Sequence, residues 1–372
     1  QTYPLEYDIL DGECNADAIF QTTMNTTSAP RLLEVPLSLK IKPFGHPQQL
    51  SSVISGTLNN GGGTGNSSAA YLQATPNGDV AAPARVTFQS AAGDAFQRVI
   101  VGKKSGIGAS AFQFALNCET GTGPGYTVTS GLLSGAGGGL TDTGTVVEAS
   151  AHNGNIHRFD FSSLPSANSG SGWINWELTS GIANYFGKYR VYLRVDVETN
   201  TSLVREFQFS YGGDSGDDII NATVAPPAAS ADYLVDLGTM QIPHRFSPLD
   251  QSQRSFKMRL SGAISSANHV TTQHLDLDSL YLMPIDEGFF DSLANASAQS
   301  MLVMDKLSLQ PQSYLLDPSG DMLNRLLTPY TQSLFSITPN VPNRWFALYS
   351  DATYLEHNLT DVFTLKIDYF PQ

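Results

Sequence analysis

Hydrophobic and polar residues alternate along several stretches of this chain. In Val362-Phe-Thr-Leu-Lys-Ile-Asp-Tyr369, Phe363, Leu365, Ile367 and Tyr369 fall on one side, and Val362, Thr364, Lys366 and Asp368 on the other. Between Leu33 and Phe44, Val35, Leu37, Leu39 and Ile41 oppose Ser38, Lys40 and Lys42. A two-residue period predicts strands with one buried face. The most informative run is Leu275-Asp-Leu-Asp-Ser-Leu-Tyr-Leu-Met-Pro-Ile-Asp-Glu287. It alternates at first, then reads as the end of a buried strand at Tyr281–Pro284, with acidic residues where it emerges.

Further strands are predicted at 69–74, 84–89, 96–102 and 111–118. The series continues at 156–162, 189–198, 203–211, 233–242, 255–260 and 271–283, and ends with 300–309, 343–349 and 362–369. Short strands at this spacing, with turn residues between them, predict an all-β chain of tandem β-sandwich or jelly-roll modules. The best helical patterns, at 288–301 and 321–327, are short. The stretch 121–144 is dominated by Gly, Thr and Ser, and reads as a linker or long surface loop.

Three regions follow: an N-terminal β-sandwich region with an assembly arm at 1–145, a jelly-roll module at 146–292, and a C-terminal β region at 293–372. The last strand needs a partner, and the N-terminal region offers one. The middle jelly roll is then inserted into a sandwich built from the two ends of the chain.

Composition narrows the function. Hydrophobic residues make up 41% and charged residues 15%, and 33 glycines and 20 prolines fit many turns. Twenty Lys and Arg face 34 Asp and Glu, a formal net charge of −14. That balance argues against nucleic acid as a partner, because phosphate binding relies on basic groups displacing counterions. No apolar run is long enough to cross a bilayer, so no membrane insertion is expected. Cys14 and Cys118 are read as a distant pair or as two buried thiols.

Catalytic signatures are sparse. The seven histidines fall in no HExxH arrangement, and no GxSxG elbow or phosphate-binding glycine loop occurs, so the chain is not expected to be an enzyme. Two weaker sites stand beside bland alternatives. Trp173, Trp176 and Tyr185 are candidates for stacking on a glycan, against ordinary packing of large aromatics. Asp214, Asp217 and Asp218 offer oxygen ligands suited to calcium, against an acidic turn, because the EF-hand spacing is incomplete. No other cofactor is implied.

Several patches carry a family likeness. They are Leu39-Lys-Ile-Lys-Pro-Phe44 with Asn77-Gly-Asp-Val-Ala-Ala-Pro-Ala-Arg-Val-Thr-Phe88, the 275–288 run, and Pro342-Asn-Arg-Trp-Phe-Ala-Leu348 with Thr364-Leu-Lys-Ile-Asp-Tyr-Phe-Pro371. In these the chain resembles tail structural proteins of tailed bacteriophages, of the distal-tail and baseplate type. After the early strand it reads Pro43-Phe-Gly-His-Pro47, where an aromatic PYWEG stretch belongs to the family. The resemblance implies a virion protein that self-assembles into a ring or tube. Its partners would be copies of itself, other tail proteins and a host-surface glycan held by the outward jelly roll. The competing class is a secreted or cell-surface carbohydrate-binding protein, or a surface-filament subunit, located outside the cell.

Overall fold

The structure is a computed structural model. It describes residues 2–9, 12–19, 52–62, 71–78, 80–107, 112–132, 141–160, 170–197, 204–212, 218–224, 231–243, 256–265, 274–307, 312–326, 335–351, 357–359 and 361–369. The fold is all-β, built from antiparallel sheets. Apart from a hairpin of Thr2–Ile9 with Gly12–Ile19, the strands form four sheets stacked in layers.

The first two layers form one sandwich. One sheet runs Met322–Leu326, Gln312–Leu316, Met301–Asp305, Ala82–Ser90, Val362–Tyr369, Ser52–Asn59, with Ser336–Ile337 paired beside Ala82. The other runs Phe289–Ala296, Phe96–Ser105, Asn343–Asp351, Tyr71–Ala74. Alternation places Ala84, Val86 and Phe88 in the gap between them. There Phe88 meets Phe96, Tyr349 and Phe363 at ring-centroid distances of 5.2, 5.4 and 5.1 Å. Ser52–Asn59, Tyr71–Ala74, Ala82–Ser90 and Phe96–Ser105 alternate between the two sheets, as do Phe289–Ala296, Met301–Asp305, Asn343–Asp351 and Val362–Tyr369 after them. This interleaving of eight strands is the jelly-roll arrangement of two Greek keys.

The second sandwich lies between Phe96–Ser105 and Phe289–Ala296 in the chain. Its near sheet runs Thr141–Val147, Asn155–Asp160, His274–Pro284, Gly187–Val197, Ala231–Ile242, with Ala115–Asn117 also beside His274–Pro284. Its far sheet runs Asp218–Val224, Val204–Gly212, Phe256–Ser265, Gly170–Leu178, Tyr126–Leu132, Gly121–Gly123.

The two sandwiches share a packed boundary. Along Asn343–Asp351, Trp345, Ala347 and Tyr349 enter the first core, while Phe346 and Leu348 enter the second. The four-stranded sheet is therefore buried on both faces. So is His274–Pro284, buried at every position after the first, which explains why its sequence loses strict alternation.

Three expectations change. The second sandwich takes in strands from Ala115 onward and ends at Pro284, so its limits differ from 146 and 292. Described parts of the glycine-rich stretch are strands, not linker: Gly131 pairs opposite Trp173, and a Cβ there would lie 2.8 Å from the indole. Glycine in a strand often marks such a close approach. Finally, the two best helical patterns form the strands Phe289–Ala296 and Met322–Leu326, because pairing to neighbouring strands overrides a weak local preference. The early run 33–44 lies outside the described residues.

Candidate functional site at the joint between the sandwiches

The buried polar groups concentrate where the two sandwiches meet. Gly187–Val197 lies between His274–Pro284 and Ala231–Ile242, and Arg194 projects from it with 1% of its surface exposed. Its guanidinium donates to Asp278 and Asp232 on the two flanking strands, and its Nε to the backbone oxygen of His357 at 3.3 Å. Burial works against the charge on Arg194, but Asp278 and Asp232 outweigh it and raise the pKa. The strand register explains how Asp278 reaches this point. Arg194 opposes Ser279 and Val195 opposes Leu277, leaving Asp278 as the extra residue of a bulge. Bulges re-aim side chains in this way.

The first sandwich supplies the other half of the centre. His357 donates its backbone N–H to the backbone oxygen of Asp232 at 2.7 Å, and its Nε2 lies 3.1 Å from Asn60 Oδ1. Asn60 is anchored by Nδ2 donating to the Tyr349 oxygen at 2.8 Å, while its Oδ1 accepts from the Tyr349 N–H at 3.0 Å. With Oδ1 as acceptor, His357 carries its proton on Nε2, which leaves Nδ1 bare, buried and, among the described residues, without a partner. Across the joint, His152 donates its backbone N–H to both Asp278 oxygens at 3.1 Å. Its Nδ1 meets Asn117 Oδ1 at 3.0 Å.

The electrostatics follow from this burial. Burial holds His357 well below the ordinary histidine range, and Arg194 and His152 push the same way. Burial also lowers His152, with Asp278 opposing and Arg194 reinforcing the shift. Glu119, one of whose oxygens is buried and meets no partner among the described residues, is pushed up to about 7 by burial and then by Asp278. Burial raises the neighbouring Cys118 thiol well above its usual value.

Two further groups tie the sandwiches together. Arg98 makes paired bonds to Asp291 at 2.9 and 2.7 Å, and Tyr192 of the second sandwich donates to the same carboxylate at 2.9 Å. Lys104 donates to the Phe186 oxygen at 2.6 Å and stands over the rings of Phe112 and Tyr189. Beside it opens a cleft of about 360 Å³ that includes Lys103, Lys188, Asp286 and Glu287. Within it Glu287 pairs with Lys103 at 3.2 Å, and the Asp286 carboxylate accepts the backbone N–H of Lys188 at 2.6 Å.

The sequence-selected residues lie elsewhere and do not form one site. Trp176 is 0% exposed, and its Nε1 donates to the Asn117 oxygen at 2.6 Å. Tyr185 is buried, with its hydroxyl accepting from the Gln113 N–H at 3.1 Å. Neither offers a face to a sugar, which corrects the three-residue platform. Trp173 alone faces outward from the far sheet, with the Arg259 guanidinium carbon 4.8 Å from its ring centroid. Asp214 and Asp217 lie outside the described residues, and Asp218 begins the strand Asp218–Val224. Sequence reading passed over Arg194, His152 and His357. The available signal was a charge inside the apolar run Val191–Val195.

No family model and no curated protein matches this chain. Among solved structures, one similar chain is a family 11 carbohydrate-binding module from Clostridium thermocellum in complex with a β-1,3-1,4-mixed-linked tetrasaccharide. It is 13% identical with a TM-score of 0.19, over 49% of this chain and 96% of that one. Another is the infectious bursal disease virus VP2 subviral particle, 8% identical with a TM-score of 0.20, over 91% of this chain and 84% of that one. TM-scores this low carry no argument about function.

Proposed function

We propose that the chain is a structural subunit of a virus particle, with its first sandwich as a building element and its second as a projection. The observation that carries this reading is the complete jelly roll, interrupted between two strands of one sheet by an entire second sandwich. Jelly rolls occur in capsid proteins, lectins and cupins, so the fold alone does not decide. The placement of the buried charges adds support. Arg98 reaches Asp236 and Tyr192, Lys104 the Phe186 oxygen and Arg194 the His357 oxygen, each joining one sandwich to the other, an arrangement suited to holding a projection rigidly. On this reading the chain acts by assembly and not by catalysis. Its partners are further copies and other virion proteins, and its place is the virion. A tail ring or tube is the finer form implied by the tail-protein resemblance.

The test is negative-stain imaging of purified protein, with mass measurement across a range of concentrations. Rings, tubes or closed shells are the expected result. A monomer at every concentration, pH and salt level would overturn the reading. A host glycan, if held, belongs on the outward far sheet near Trp173, and a glycan screen with Trp173→Ala checks it.

A further inference from the structure

The cleft beside Lys104 opens at the joint and draws its lining from both sandwiches. Lys103 and Lys104 come from the strand Phe96–Ser105, Lys188 from Gly187–Val197, and Asp286 and Glu287 from the turn after His274–Pro284. Three lysines therefore line it with two carboxylates, which leaves one positive charge in excess.

The contacts show where that excess lies. Glu287 takes Lys103 Nζ at 3.2 Å and the Ser105 N–H at 3.1 Å, so this pair is closed. Asp286 spends one oxygen on the backbone N–H of Lys188, whose side chain is exposed. Lys104 is half-buried, and its Nζ donates to the Phe186 backbone oxygen, a neutral acceptor, at 2.6 Å. It makes no ion pair among the described residues. An ammonium carries three N–H donors, so two remain. Burial holds the Lys104 pKa below the ordinary lysine value, and Glu287 and Asp286 do not bring it back. Gly187, with φ +133°, keeps the space between Lys104 and Asp286 clear. A Cβ there would lie 2.6 Å from Asp286 Oδ2 and 3.4 Å from Lys104 Nζ.

Charge and size select the ligand. One surplus positive charge matches one negative charge. A phosphate dianion would bring a second beside Asp286 and Glu287, and a cation would meet three lysines. A volume of about 360 Å³ falls near the low end of ligand pockets, about 300–1,000 Å³, so the ligand is small. We propose that this cleft binds a small organic monocarboxylate, which accepts hydrogen bonds from Lys104 while Lys188 attracts it at the rim. The site does not depend on the virion reading.

The test is calorimetric titration of the full chain with benzoate at constant ionic strength, beside benzamide, its uncharged analogue, and inorganic phosphate. Saturable binding at one site is expected, with benzoate tighter than both. Lys104→Met should weaken benzoate at least about tenfold, as loss of a hydrogen bond to a charged group does. Lys188→Glu, a change at an exposed position, should weaken it about three- to fivefold. If Lys104→Met does not fold, Lys188→Glu decides. The proposal is overturned by an absence of saturable benzoate binding, or by unchanged affinity in the variants. Benzamide binding as tightly would make the cleft an apolar pocket, and phosphate binding as tightly would make it a site for any anion; either overturns the assignment.

Discussion

Trp173 and Trp176 stand three positions apart on Gly170–Leu178, so the two-residue period of a strand sends them to opposite faces. Trp176 fills the core and also satisfies the Asn117 carbonyl, so Trp176→Ala should cost about 3–5 kcal/mol in urea unfolding. Trp173→Ala removes an outward ring and its contact with Arg259, and should cost no more than about 1 kcal/mol. Equal losses would show that the far sheet is not the outer face. Glu119 makes a second prediction at this scale. Its carboxyl is harder to ionise in the folded protein, at about 7, than in the unfolded chain. The folded state therefore gives up stability as pH rises from the ordinary glutamate range through 7, and the full penalty stands above that. Glu119→Gln should match wild type near pH 4 and melt higher at pH 8; an unchanged difference between those pH values would refute the assignment.

Among the strands, glycine decides how closely layers approach. At Gly102, in Phe96–Ser105, a Cβ would lie 2.4 Å from the backbone oxygen of Pro284, which cannot swing aside as a side chain can. Gly102→Ala should force the four-stranded sheet and the second sandwich apart, costing about 1–3 kcal/mol in urea unfolding. A neutral result would mean that the joint is loosely packed. Such contacts explain which elements were legible in advance. Val362–Tyr369 was readable because one face is apolar and the other polar, and its burial pattern follows the alternation. The limits of the second sandwich were not readable. The glycines of 121–144 look like a linker in sequence, and only the indole of Trp173 lying across Gly131 shows why one is needed. The Arg194 centre was hidden for a related reason: a bulge aims Asp278, and a bulge depends on the partner strand.

The whole molecule holds its two sandwiches together through a centre that binds protons poorly. His357 comes from the first sandwich and faces Arg194, Asp232, Asp278, His152 and Tyr281 of the second, with Asn60 behind it. Its bare Nδ1, if protonated, would become a charged donor with no acceptor among the described residues, close to a guanidinium already present. If the joint opens, His357 meets water and regains its ordinary pKa near 6.5. The closed joint therefore keeps its full stability above about pH 6.5 and loses it as pH falls toward the depressed pKa, by at most about tenfold per pH unit for each histidine. His152 acts in the same direction, whereas Glu119 opposes it, because its closed form takes up a proton more readily. Hydrogen exchange at the His357 amide, which bonds to the Asp232 backbone oxygen across this centre, reads the opening directly. Corrected for intrinsic rates, protection should fall from pH 6.5 to 5 in wild type and fall more steeply in Glu119→Gln. His357→Gln can still donate to Asn60 but cannot take up a proton, so its protection should be nearly flat over that range. If His357→Gln follows the wild-type slope, His357 is not the group through which acid opens the joint, and acid acts on the molecule elsewhere.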